Sequence, residues 1–139
     1  MARYCLDASF VLGRLIFRST SPAILARWNS ITDRDDLLAP HLLFAECTSV
    51  LTRYVYEKQV DESRARALVQ VLVQLPVRLV HMSSVYSRAF EIARSLGWKK
   101  AYDALYLAAA EHEDAELLTV DGGMHGAARR LSIRATLVR

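Results

Sequence analysis

The run Ala101-Tyr102-Asp103-Ala104-Leu105-Tyr106-Leu107, continued to about Glu113, has helical length and is apolar nearly all round. Leu117-Leu118-Thr119-Val120 follows at once as a short apolar strand closed by Asp121. A helix running directly into such a strand is the connecting half of a β-α-β unit. Working outward, the same alternation recurs on both sides.

Downstream, Gly122-Gly123 turns the chain, a short helix carries Arg129 and Arg130, and Ala135 to Val138 reads as a last strand. Upstream, Val77 to Val80 reads as a strand, and Val85 to Leu96 as a helix capped by Gly97. A helix after the N-cap candidate Asp61 carries Ala65, Leu68, Val69 and Leu72 and stops before Pro76. Before it, His41 to Lys58 places Leu43, Cys47, Val50, Leu51 and Tyr54 on one stripe. Asp35 to Ala39 is a brief strand halted by Pro40, and Ser21-Pro22 opens a helix through Trp28. Tyr4-Cys5-Leu6 is a first strand ending at Asp7, followed by a helix over Phe10 to Phe17. Strands separated by helices in this rhythm predict an α/β fold, a three-layer α/β/α sandwich with a central, mainly parallel sheet. In such sheets ligands collect outside the carboxyl ends of the strands.

The chain has 139 residues, 53% of them hydrophobic, which suits one domain with its own core and excludes a disordered chain. Lysines and arginines number 18 against 15 aspartates and glutamates, a net charge of +3 that permits a phosphate-bearing partner without requiring one. Cys5 and Cys47 sit far apart in apolar runs and form no disulfide framework. No apolar span reaches membrane length, and Asp7 interrupts the one stretch that follows a basic start, so the expectation is a soluble, cytoplasmic protein without a membrane. His41, His81, His112 and His125 show no paired ligand spacing, which argues against zinc.

Asp33, Asp35, Asp36, Glu57, Glu62, Glu113, Asp114 and Glu116 stand in polar loops or at helix ends. Asp7, Glu46, Asp103 and Asp121 do not: each interrupts an apolar run or ends a strand, where an unpaired charge is costly to bury. Each also has a plain structural reading. Asp7 can cap the helix that follows, with Ser9 sharing that role or hydrogen-bonding its carboxylate. Glu46 can belong to a capping box, although Leu43 three positions earlier offers no side-chain oxygen. Asp103 can serve the helix dipole, and Asp121-Gly122 can form a hairpin turn. Taken together, two acids leave strand ends and two start helices, so all four can converge above one edge of a parallel sheet.

Converging carboxylates repel unless a cation or shared protons neutralise them. An all-oxygen donor set selects a hard cation, Mg²⁺ or Mn²⁺, completed by waters and a phosphate. An ion held so would lower the pKa of bound water and stabilise charge on a phosphoryl oxygen, which makes a phosphodiester the natural substrate. No serine, cysteine or histidine nucleophile with an orienting partner stands out.

Leu6-Asp7-Ala8-Ser9, Phe44-Ala45-Glu46, Tyr102-Asp103-Ala104-Leu105-Tyr106-Leu107-Ala108 and Leu118-Thr119-Val120-Asp121, in this order, resemble the PIN-domain ribonucleases, and among them the short VapC-type toxins of toxin-antitoxin pairs. The likeness spans nearly the whole chain, which reads as a single PIN-like domain over residues 1–139. It implies a Mg²⁺- or Mn²⁺-dependent endoribonuclease with Asp7, Glu46, Asp103 and Asp121 as metal ligands and Ser9 and Thr119 as their support. It also implies a homodimer and a small cognate antitoxin whose C-terminal segment occupies the groove. The pattern departs after Asp121, where Gly122-Gly123-Met124-His125 replaces a polar and a bulky apolar residue.

RNA needs a basic path to the acids. Trp98-Lys99-Lys100, just before the Asp103 helix, offers an aromatic face and two cations; the alternative is a loop with solvated lysines. Arg14, Arg18, Arg129 and Arg130 follow the first and last acids and are either further contacts or surface charge. Two other functions compete. A haloacid-dehalogenase-like phosphatase also places Asp after its first strand, but usually needs a second Asp where this chain has Ser9. A non-catalytic RNA- or protein-binding module would keep the fold with a degenerate site, against which stand acids at all four positions.

Overall fold

The computed structural model describes residues 1–16 and 21–139. Phe17 and Arg18, read above as a helix end and a flanking cation, lie outside the described residues. The elements run β1 (Arg3–Leu6), α1 (Ala8–Ile16), α2 (Pro22–Asn29), β2 (Asp36–Pro40), α3 (Leu42–Tyr56), α4 (Glu62–Val73), β3 (Arg78–Val80), α5 (Ser83–Ser95), α6 (Tyr102–His112), β4 (Glu116–Thr119), α7 (Gly122–Arg130) and β5 (Ala135–Leu137).

Every strand pairs parallel to its neighbour in the order β3-β2-β1-β4-β5. The right-handed crossover rule for parallel strands assigns α1 to α4 to one face and α5 to α7 to the other, and α1 packs on α2 and α3, α3 on α4, and α5 on α6. The central strands read as short apolar runs because both faces are covered. Cys5, Leu6, Leu38, Leu117 and Leu118 are completely buried. From β1 the chain moves towards β2 and β3, and from β4 towards β5. The carboxyl ends of β1 and β4 therefore flank the switch point of the sheet, where a crevice opens.

Two local devices aim residues at that edge. Gly122-Gly123 is not a turn between elements, as the sequence suggested, but the start of α7. Asp121 caps it, its Oδ1 accepting from the Gly123 amide at 2.8 Å and the Met124 amide at 3.3 Å. Those bonds satisfy helix-start amides that would otherwise lack partners. At the end of α5, Gly97 takes a φ of +70°, where a Cβ would be strained. The Gly97 and Trp98 amides donate back to the carbonyls of Arg94 (3.2 Å) and Ala93 (2.9 Å), which stops the helix and turns Trp98-Lys99-Lys100 towards α6. Asp61 does stand at the start of α4, but its side chain makes no capping bond.

Candidate active site: an acidic cluster at the carboxyl edge

Asp7 follows β1, and its amide extends the ladder by donating to the Leu118 carbonyl at 3.0 Å. The side chain is 4% exposed. Its Oδ2 accepts from Ser9 Oγ at 2.7 Å and from Thr119 Oγ1 at 2.6 Å. Both hydroxyls are themselves fixed: Ser9 Oγ accepts from the Val120 amide at 3.1 Å, and Thr119 Oγ1 from the Asp121 amide at 3.0 Å. The carboxylate is thus held by hydroxyls, while the first amides of α1, Phe10 and Val11, bond the Asp7 backbone carbonyl.

Glu46 lies on α3, half-buried, and its Oε2 accepts from the hydroxyl of fully buried Tyr106 at 2.9 Å. Tyr106 stands one turn beyond Asp103 on α6, so a single helix carries one acid and anchors another. Asp103 and Asp121 are exposed.

The four acids share one electrostatic neighbourhood. Burial pushes the Asp7 carboxyl above its ordinary value, the two hydroxyl bonds pull it back, and the charges of Asp103 and Asp121 push it up again. Glu46 is raised first by desolvation, then by Asp7 and Asp103, against the pull of the Tyr106 bond. Asp103 is raised by desolvation and by Asp121. None of the four has a cationic partner among the ion pairs of the described residues.

Among the described residues no three His, Cys, Asp or Glu side chains converge closely enough to cage an ion. The donor chemistry nonetheless fits a hard cation completed by water: every candidate ligand is an oxygen, and Mg²⁺ keeps several waters when only one or two carboxylates hold it. Thiol ligands are out of play, since burial raises both cysteines, Cys47 to about 12.

A cavity of about 800 Å³ opens beside this edge. Its walls include Glu46, Asp103, Arg53, Trp98, Lys99 and Lys100. The proposed aromatic and basic path and two of the acids therefore face one cleft. Arg14 does not. It lines a different cavity with Trp28 and Arg64, between α1, α2 and α4. Sequence reasoning missed Tyr106 and Arg53. Arg53, seven residues after Glu46, shares its helical face, a spacing that could have flagged it. The structure also packs His41 against His81 in a tilted arrangement, with ring centroids 4.9 Å apart, and brings the Tyr86 hydroxyl to 2.9 Å from His81 Nδ1. Sequence spacing hid that pair because it joins the ends of two different strands.

A family model for the PIN domain matches residues 4–130, and the chain belongs to that family. It is 31% identical over 134 residues to Ribonuclease VapC1 of Mycobacterium tuberculosis, covering 96% of each chain. Two solved structures share the fold. VapBC2 from Rickettsia felis, bound to a DNA fragment from their promoter, superposes with a TM-score of 0.71 at 11% identity, covering 96% of this chain and 97% of that one. Mycobacterium tuberculosis VapC20, a Sarcin-Ricin loop cleaving toxin, gives 0.68 at 18% identity over 89% and 94% of the two chains. Among the described residues, no helix is long and apolar enough to cross a membrane.

Proposed function

We propose that this chain is a divalent-metal-dependent endoribonuclease, one PIN-like domain over residues 1–139, and the toxin of a toxin-antitoxin pair. The observation that carries the reading is the set of carboxylates, at one sheet edge and without cationic partners among the described residues, that raise one another's pKa. The 31% identity to Ribonuclease VapC1 supports the substrate class.

Asp7, Glu46, Asp103 and Asp121 hold Mg²⁺ or Mn²⁺, directly or through water. That ion supplies activated water and charge neutralisation at the phosphoryl group. Ser9 and Thr119 fix the buried Asp7 carboxylate through its Oδ2. Tyr106 does the same for Glu46, occupying Oε2. Lys99, Lys100 and Arg53 hold the RNA backbone along the cleft, and Trp98 offers a stacking face for a base. The partner is a small antitoxin whose segment enters the same groove, and the working form is a cytoplasmic homodimer.

The test is cleavage of single-stranded RNA with Mn²⁺ and with chelator, for wild type and Asp103→Asn. Cutting by wild type with Mn²⁺ alone, lost in the variant, is the expected result. Cutting that survives both chelator and substitution would overturn the mechanism.

A further inference from the structure

A separate cavity of about 300 Å³ lies at the carboxyl ends of β2 and β3, lined by Pro40, His41, Val80, Tyr86 and Leu105 among others. Leu42, Ala45 and Tyr102 wall both this cavity and the cleft that holds Glu46, Asp103, Lys99 and Lys100, so the two adjoin across Tyr102, the residue before Asp103. The His41 amide donates to the Val80 carbonyl at 3.2 Å, which ties the two strand ends together. The His81 ring packs on that of His41 and edge-on to that of Tyr86, the latter with centroids 5.6 Å apart, and its Nδ1 shares a hydrogen bond with the Tyr86 hydroxyl.

His41, His81, Tyr86 and Tyr102 are all exposed, Tyr102 to 58%. One exposed ring is ordinary, but four gathered beside a cleft leave apolar surface for a ligand to cover. The walls decide which ligand. Among the described residues the lining carries no carboxylate, lysine or arginine, so neither a hard cation nor a phosphate gains a charged partner there. An aliphatic side chain would leave the imidazole and phenol polar atoms without partners. A flat heteroaromatic group with polar edges meets both halves, stacking on the rings and bonding through its rim. The space is at the lower end of the roughly 300–1,000 Å³ that small-ligand pockets span, room for one such group and too small for a strand or a helix.

We propose that this cavity binds one nucleobase of the RNA strand, a subsite that reads the nucleotide next to the one held at the acids. The inference rests on the ribonuclease reading above. A strand whose phosphates follow Lys99 and Lys100 to Asp103 passes Tyr102, where one unstacked base turns into the cavity, the way single-stranded RNA is commonly recognised. The rings of His41, Tyr86 and Tyr102 supply the stacking faces, and the Tyr86 hydroxyl and the His41 nitrogens bond the edge of the base. His81 is a positioning residue that fixes His41 and Tyr86.

The test is binding, so it does not require cleavage. A fluorescein-labelled single-stranded RNA hexamer is titrated with the full chain in Ca²⁺ and recovered intact, and the same strand carrying 5-iodouridine is irradiated in the complex and its adducts mapped by mass spectrometry. Iodouracil couples to aromatic side chains on which it stacks, so adducts are expected on Tyr102, Tyr86 or His41 as well as on Trp98. Tyr102→Ala, at an exposed position, is expected to weaken binding about fivefold or more without changing the circular dichroism, with Tyr102→Phe close to wild type. A hexamer of the same length without bases binds wild type and Tyr102→Ala alike. His81→Ala lowers the adducts on Tyr86 and His41. No RNA binding, adducts confined to other residues, binding indifferent to Tyr102→Ala, or an equal loss with the baseless strand overturns the proposal. Cutting of the hexamer in Mn²⁺ is read separately: a chain that cuts without these adducts keeps the ribonuclease reading and loses the subsite, and one that gives the adducts without cutting does the reverse.

Discussion

At the amino ends of the strands Asp36 is held by Arg78 at 2.8 Å and by Arg3 at 3.7 Å, while Glu113 meets Arg78 at 2.6 Å and Asp114 meets Arg134 at 3.3 Å. Nearby, amide bonds from Ala2 and Thr32 hold the Asp35 carboxyl below its ordinary value. At the carboxyl ends of the same sheet Asp7, Glu46 and Asp103 are pushed the other way, and the side chains that hydrogen-bond Asp7 and Glu46 are neutral hydroxyls. Residues of one chemical type thus meet opposite fates about one strand length apart. The chain neutralises the acids that serve the fold and leaves the others for something it does not itself contain.

The largest effect that could break this contrast is on catalysis. Asp103→Asn is expected to lower Mn²⁺-dependent RNA cleavage by about 100-fold or more, with Arg78→Gln at the opposite end unchanged. Equal losses in a cleavage assay would erase the distinction between the two ends.

The next effect is on stability. Thr119 is completely buried and donates to a carboxylate that is itself buried, so Thr119→Val is expected to cost about 2 kcal/mol in urea unfolding at neutral pH. Arg78→Gln removes half-exposed ion pairs and is expected to cost about 1 kcal/mol or less, falling further with added salt. A larger and salt-insensitive loss for Arg78 would reverse the ranking.

A smaller effect concerns pH. A carboxyl whose folded pKa is raised binds protons more readily folded than unfolded, so its contribution to stability declines as pH rises through the folded value. In the absence of divalent ions, Asp103→Asn is therefore expected to melt a few degrees above wild type at neutral pH. That advantage should vanish below the ordinary aspartate value of 3.8, where both states of the wild type are protonated. Melting curves across pH check the sign; an advantage that grows on acidification contradicts the assignment.

The element order was legible in the sequence because apolar periodicity is a local property. Asp7 and Asp121 could be placed at strand ends, and Glu46 and Asp103 near helix starts, from their own neighbours alone. Pairings between elements were not legible. That Tyr106 meets Glu46, or that Arg14 turns towards Arg64 and away from the acids, depends on sheet order and helix rotation, which no single segment encodes. Gly122-Gly123 misled for a related reason: glycine normally punctuates, and only the cap made by Asp121 shows that the helix has already begun.

The most direct test of the central claim is Mn²⁺ binding, measured by isothermal titration calorimetry on wild type, Asp7→Asn, Asp103→Asn and Asp36→Asn. Saturable binding by wild type is predicted, weakened about tenfold or more in the Asp7 and Asp103 variants and intact in Asp36→Asn. A wild type that binds no Mn²⁺, or one whose affinity survives both substitutions at the carboxyl edge, would contradict the account.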